Sequence, residues 1–206
     1  MKKGLTIMMA AFFLALMLGG SGQAAMIYGS VWEDATAQSM DPRLGPPALP
    51  PTSTFYVNVA DQINFDSRLY VGNATYDQFL NSPVWTGTDI GSQTIDTFSG
   101  HGTFFQFTGS MYLENGQTFT VVHDDGFVIT IGNVLYDAYW GPVIPTPNTI
   151  TWNGATGIYP FVLNYGAYNG YPEVLSTRGA TFVPEPMTML LLGFGLLGLA
   201  GARRFK

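Results

Sequence analysis

The chain has 206 residues, no cysteine, 15% aromatic residues and only 11% charged ones. Between its two ends, three arginines (Arg43, Arg68, Arg178) face thirteen acids, which argues against nucleic acid or an anionic surface as partner and favours neutral ligands or cations such as Ca²⁺. Without disulfides, stability has to come from packing.

The chain opens on Lys2 and Lys3, an apolar stretch from Ile7 to Leu18, and small residues up to Ala24-Ala25. This is the layout of a secretory signal peptide, 1–25, cut after Ala24 or Ala25. From Met26 to Phe182 no helix is convincing, although Tyr76 to Leu80 fits a short helical turn. Five prolines between Asp41 and Thr54 make an extended surface loop. Phe55 to Val59 and Asp61 to Leu69 read as strands. Thr103 to Asp137 carries the clearest alternation. It is punctuated by Asn115-Gly116, a two-residue hairpin signal, then by Asp125-Gly126 and Gly132-Asn133. Gly141 to Asn148, with three prolines, is a loop. Thr149 to Trp152 and Ile158 to Tyr165 are strands separated by Asn153-Gly154, and Gly179 to Phe182 closes the sheet. Short strands at this spacing predict an all-β fold, an antiparallel β-sandwich of about 160 residues, over 26–182.

The end reads Val183-Pro184-Glu185-Pro186, an apolar run from Met187 to Ala202, then Arg203, Arg204 and Lys206. As a helix the run reaches roughly 24 Å at about 1.5 Å per residue, short of a bilayer core of roughly 30 Å. Thinning of the membrane and snorkelling cations close the gap, and the basic end stays cytoplasmic. The two prolines keep the junction extended and graspable.

These three parts in order, over 183–206, resemble the PEP-CTERM sorting signal. The resemblance implies recognition by exosortase, a membrane protease-transferase of Gram-negative bacteria that make extracellular polysaccharide. It implies export, a transient transmembrane helix at 187–202 in the inner membrane, and a processed product at the cell surface or outside it.

A second resemblance rests on the strand ending in His123-Asp124-Asp125-Gly126, on Asp137-Ala138-Tyr139-Trp140-Gly141, and on Gly157 to Tyr165 followed by Asn169-Gly170. These are similar to the protective-antigen-type (PA-fourteen) sandwich of toxins, glycosidases and adhesins, a jelly-roll-like fold. In its adhesin branch two adjacent aspartates hold Ca²⁺, which grips sugar hydroxyls. The resemblance makes Asp124 and Asp125 metal ligands. Neighbouring strand residues point to opposite faces, so aiming both at one ion needs a distorted backbone, in the adhesins a cis peptide. Ca²⁺ takes 6–8 oxygens, so a third side chain is required: Asn169, with Asn133 in reserve. Tyr139, Trp140, Tyr168 and Tyr171, in loops near this end, are candidates to stack on sugar.

The bland reading of Asp124-Asp125-Gly126 is a turn with two solvated acids. His101 and His123 fit no zinc or catalytic pattern, and with thirteen acids any glycosidase pair is nameable by chance. Three readings follow: a non-catalytic surface or matrix module binding polysaccharide with Ca²⁺, a structural matrix protein without ligand, and a polysaccharide-acting enzyme.

Overall fold

The computed structural model describes residues 24–60, 62–70, 74–95, 101–139, 141 and 143–184, without the side chains of 137–139. The expected signal segment before 24, Trp140, Glu185, Pro186, the apolar run and the basic tail lie outside the described residues. Among the described residues, no helix is long and apolar enough to cross a membrane.

Among the described residues, twelve strands form two antiparallel sheets. The larger contains β1 (Ala25–Trp32), β2 (Ser53–Val59), β4 (Val84–Trp85), β5 (Thr103–Leu113), β7 (Phe127–Ile131), β8 (Val134–Tyr139), β10 (Gly157–Ala167) and β12 (Thr181–Val183). Its order is β4-β2-β1-β5-β10-β7-β8, and β12 pairs with β5. The smaller contains β3 (Asn64–Asp66), β6 (Thr118–Asp124), β9 (Thr146–Thr151) and β11 (Val174–Arg178) in the order β3-β11-β6-β9. The sheet runs one residue past each end of the expected 26–182 domain: Ala25 is buried and paired with Val59, and Val183 pairs with Ser110.

Alternation explains which face each strand buries. Phe105, Phe107, Met111 and Leu113 of β5, Ile129 and Ile131 of β7, and Phe161 and Leu163 of β10 meet Phe65, Phe119, Val121, Ile150 and Leu175 of the smaller sheet in one core. Aromatic rings knit the layers: Phe65 lies 5.4 Å from Phe107 and 5.7 Å from Phe79. Each fully buried ring contributes on the order of 1.5–3 kcal/mol of transfer free energy. Gly29 makes room for this packing, because a Cβ there would run into the Phe55 ring.

Several expectations need correction. Asn115-Gly116, Asp125-Gly126 and Asn153-Gly154 do turn the chain, but they carry it from one sheet to the other. Of the expected two-residue turns, only Gly132-Asn133 closes a hairpin, between β7 and β8. The reason is the shared core. Leu113 and Phe119 on either side of the first turn both have to face the interlayer, and placing them on opposing sheets does this. The corners brace one another: the Gly116 N–H donates to the Trp152 carbonyl, and the Trp152 N–H donates to the Gln117 carbonyl, both at 2.8 Å.

The expected strand Asp61 to Leu69 is shorter, β3 followed by a 3₁₀ turn Ser67–Leu69 whose Asp66 side chain caps Arg68. Pro147 and Asn148, expected in a loop, belong to β9. A proline is tolerated there because β9 is an edge strand. Among the described residues two short α-helices occur, α1 (Thr36–Met40), which the sequence does not signal, and α2 (Tyr76–Leu80), which it does. A capping box from Thr75 and Gln78 starts α2, and left-handed Asn81 ends it. The Pro-rich stretch contains a 3₁₀ turn, Pro42–Leu44. Strands β1 and β11 were not recognised in the sequence.

Phe182 ties the last strand to the core. It is buried, and its ring meets that of Phe161 edge to face at 5.3 Å. Phe182→Ala is expected to lower unfolding free energy by about 3–5 kcal/mol, read from denaturant melts of the domain.

Candidate functional site

The corner between β6 and β7 places Asp124 and Asp125 at one end of the sandwich. Both are buried, and the peptide bond between them is cis, as is Tyr171–Pro172. Asp124 still pairs with Val174 of β11, while the Asp125 N–H donates to the Gly166 carbonyl across the gap to β10. The corner thus straddles both sheets.

The Asp125 carboxylate organises the loops around it. Its Oδ1 accepts from the Val143 N–H at 3.0 Å. Its Oδ2 accepts from the Tyr168 N–H at 2.7 Å and the Asn169 N–H at 3.0 Å. The Asn169 amide reaches back to the Val143 carbonyl at 3.4 Å. Burial pushes the Asp125 carboxyl up, against the pull of these three amides.

Asp124 has a different environment. Its Oδ1 is buried and accepts no hydrogen bond. Burial first, then the Asp125 charge and a hydrogen bond to Asp125, push its carboxyl up to about 8, with Arg68 pulling the other way. Asp124 therefore binds its proton more tightly than a solvated aspartate does. Behind the pair stands Glu173, buried, with Oε1 unpartnered. The Tyr165 hydroxyl donates to the Asp124 carbonyl and lies 3.2 Å from Glu173 Oε2. Burial, and then the two aspartates, hold the Glu173 carboxyl well above the usual range.

His123 is structural. One ring nitrogen bonds the Asp125 carbonyl, the other meets the Asn148 amide at 2.6 Å, and the ring packs 4.6 Å from Phe127. Burial lowers its pKa and keeps it neutral. His101 is exposed and 2.6 Å from Asp34.

The other expected residues divide. Asn169 stands exposed at the rim beside Asp125. Asn133 does not join it, because the β7–β8 hairpin lies at the opposite end of β7. The Tyr168 backbone holds Asp125, and the Tyr171 hydroxyl donates to the Tyr70 carbonyl at 2.7 Å while its ring stays exposed. Tyr139 enters β8 opposite Phe127, its side chain outside the described residues, as is Trp140. Among the described residues, no group of three or more histidines, aspartates or glutamates is placed to hold a metal. Sequence reasoning missed Glu173, Tyr165 and the Val143 amide. Tyr165 looked like any core aromatic of an alternating strand, and Glu173 followed a proline in an expected loop.

Residues 182–204 match the family model described as the PEP-CTERM protein-sorting motif. Among solved structures, the PA14 domain of the MpAFP antifreeze protein is similar: 16% identical, over 80% of this chain and 93% of that one, TM-score 0.53. The PA14 sugar-binding domain of an RTX adhesin is 17% identical over 78% of this chain and 94% of that one, TM-score 0.50. At such identities the likeness establishes the fold, a PA14-like antiparallel β-sandwich. No curated protein matches the chain.

The raised carboxyls set a pH dependence. A carboxyl with a folded pKa above its unfolded value of about 4 binds its proton more tightly when native, so stability falls as pH rises between the two. In chelator, the melting temperature is expected to drop from pH 5 towards pH 8, and Glu173→Gln to flatten that drop. Thermal melts across this range check it; an unchanged slope in the variant counts against a buried Glu173 carboxyl.

Proposed function

We propose that this chain is an exported, non-catalytic surface or matrix module that binds extracellular polysaccharide through a Ca²⁺-assisted site at Asp124, Asp125 and Asn169. One observation carries the reading. Asp124 Oδ1 is buried beside a second carboxylate with no proton donor to meet it, an arrangement a cation relieves. The donor set is all oxygen: two carboxylates and an amide side chain at the rim, which suits a hard cation. Three side chains do not fill the shell, so backbone carbonyls and ligand hydroxyls complete it. A bound Ca²⁺ supplies the charge that lets Asp124 ionise and open positions for sugar hydroxyls.

The residues around the pair divide the work in this reading. Asp125 fixes the loops through Val143, Tyr168 and Asn169. Tyr165 holds the Asp124 carbonyl from behind. Tyr168 and Tyr171, with Tyr139 and Trp140, offer faces for stacking on a sugar ring. The similar domain from the RTX adhesin is a sugar-binding one, which supports the ligand class. The sorting motif supports export, an inner-membrane intermediate and processing by an exosortase-type enzyme.

The pair itself argues against hydrolysis. The two carboxyls belong to adjacent residues at one corner of the sandwich, whereas a glycosidase needs its two on either side of a scissile bond, about 5 Å or more apart. A ligand-free structural role draws on the same bonds, since the backbone amides around Asp125 alone could justify its burial.

Calcium-dependent melting separates these readings. At about 100 times the dissociation constant, Ca²⁺ is expected to stabilise the domain by roughly 2.7 kcal/mol, and Asp124→Asn to abolish the gain. A glycan array with and without chelator then reads the sugar. Equal melting with and without Ca²⁺ leaves the structural role.

A further inference from the structure

The outer face of the larger sheet is divided in two. The half nearest the aspartate pair is covered by α1 and the Pro42–Leu44 turn. The Asn164 amide donates to the Pro42 carbonyl at 3.2 Å, and a Cβ on Gly166 would collide with the Ser39 backbone. The other half is bare. The strand registers line up Tyr56, Tyr28, Thr108, Val162, Thr130 and Leu135 in a single row across six strands. At about 4.8 Å per strand the row spans roughly 24 Å. None of the six is charged, in a domain with thirteen acids and three arginines. Tyr28 is 45% exposed, Val162 38% and Leu135 60%, and Ile158 on the same face is 53% exposed.

The last strand ends on this sheet. β1 and β12 share one side of β5: β1 occupies Phe104–Thr108 and β12 occupies Ser110–Tyr112. Beyond the Val183–Ser110 pair, Tyr28 already takes the place opposite Thr108, so β1 closes that side of β5. Pro184 moreover has no N–H to offer. The inner side is filled by Phe182, Phe161 and Met111. The outer side is the open route, and 22 residues follow Pro184. From Pro184 to the apolar run at Met187 there is room for only about 10 Å of extended chain.

From this exit point and the bare uncharged row we infer that, while the tail is still attached, the row on the larger sheet lies against the lipid headgroups of the membrane that holds the tail. The inference rests on the reading of residues 187–202 as a membrane-inserted segment. A tether this short keeps the exit face at the bilayer at high effective concentration. This face brings no acid of the row towards anionic lipid; it brings tyrosines, which favour the headgroup region, and Thr, Val and Leu. It also leaves the aspartate corner on the covered half, away from the exit.

Because the chain has no cysteine, single-cysteine labelling is clean. The full chain, carrying an environment-sensitive fluorophore at Val162→Cys or, separately, Leu135→Cys, is reconstituted into phosphatidylcholine nanodiscs containing headgroup-spin-labelled lipid. Thr151→Cys, exposed on the outer side of the smaller sheet, is the reference. The expected result is several-fold stronger lipid quenching at 162 and 135 than at 151, with unchanged melting of the labelled proteins. Co-migration with nanodiscs but equal quenching at all three positions overturns the docking and leaves the anchor intact. Failure to co-migrate overturns the anchor, and the docking with it. Protection of position 162 from aqueous iodide without lipid quenching places the tail itself on the row and also overturns the proposal.

Discussion

The Asp125 carboxylate is the constraint on which the rest of this end of the sandwich depends. It is wholly buried, yet it accepts three backbone N–H groups from two loops far apart in sequence. A buried carboxylate is costly unless its lone pairs are met, and here meeting them fixes where residues 143 and 168–169 lie. The loops in turn present Asn169 and the tyrosines. A single side chain thus converts a corner between two sheets into an ordered rim.

Around that carboxylate the sandwich stacks further buried acid. Asp124 and Glu173 stand in the same apolar surroundings, bridged by the Tyr165 hydroxyl. Natural cores seldom retain such groups unless they are paired or serve a ligand. Burial and the neighbouring charges hold the Asp124 and Glu173 carboxyls above their usual range, so each keeps its proton more readily than a solvated acid does.

Much of this was legible in the sequence, and the limits were physical. Alternation gave the strands between Thr103 and Asp137, since their inner face meets a core and their outer face does not. It could not separate a hairpin from an arch. Asn115-Gly116 and Asn153-Gly154 have hairpin chemistry, and which sheet the next strand joins is decided by long-range packing. The aspartate pair stood out because two acids beside a glycine are rare within apolar strands. Its supporting cast did not: Tyr165 and Glu173 join it through contacts 8 to 41 residues apart, invisible to local pattern. Strand β11 breaks the apolar pattern because its Ser176 and Thr177 occupy buried positions, and β1 breaks it because Gly29 takes an inward position beside the Phe55 ring. The sorting motif was readable because its three parts are sequential and need no fold to be seen.

The first and last strands lie end to end along the same side of β5. A polypeptide threaded through a membrane from its amino terminus delivers one of these at the start and the other at the finish. Its largest sheet is therefore complete only when Val183 has crossed. Until then β5 shows an unpaired flank from Ser110 to Tyr112, and Phe161 lacks the ring that seals it. Closure of the larger sheet therefore waits on the last three strand residues of the domain, Thr181 to Val183.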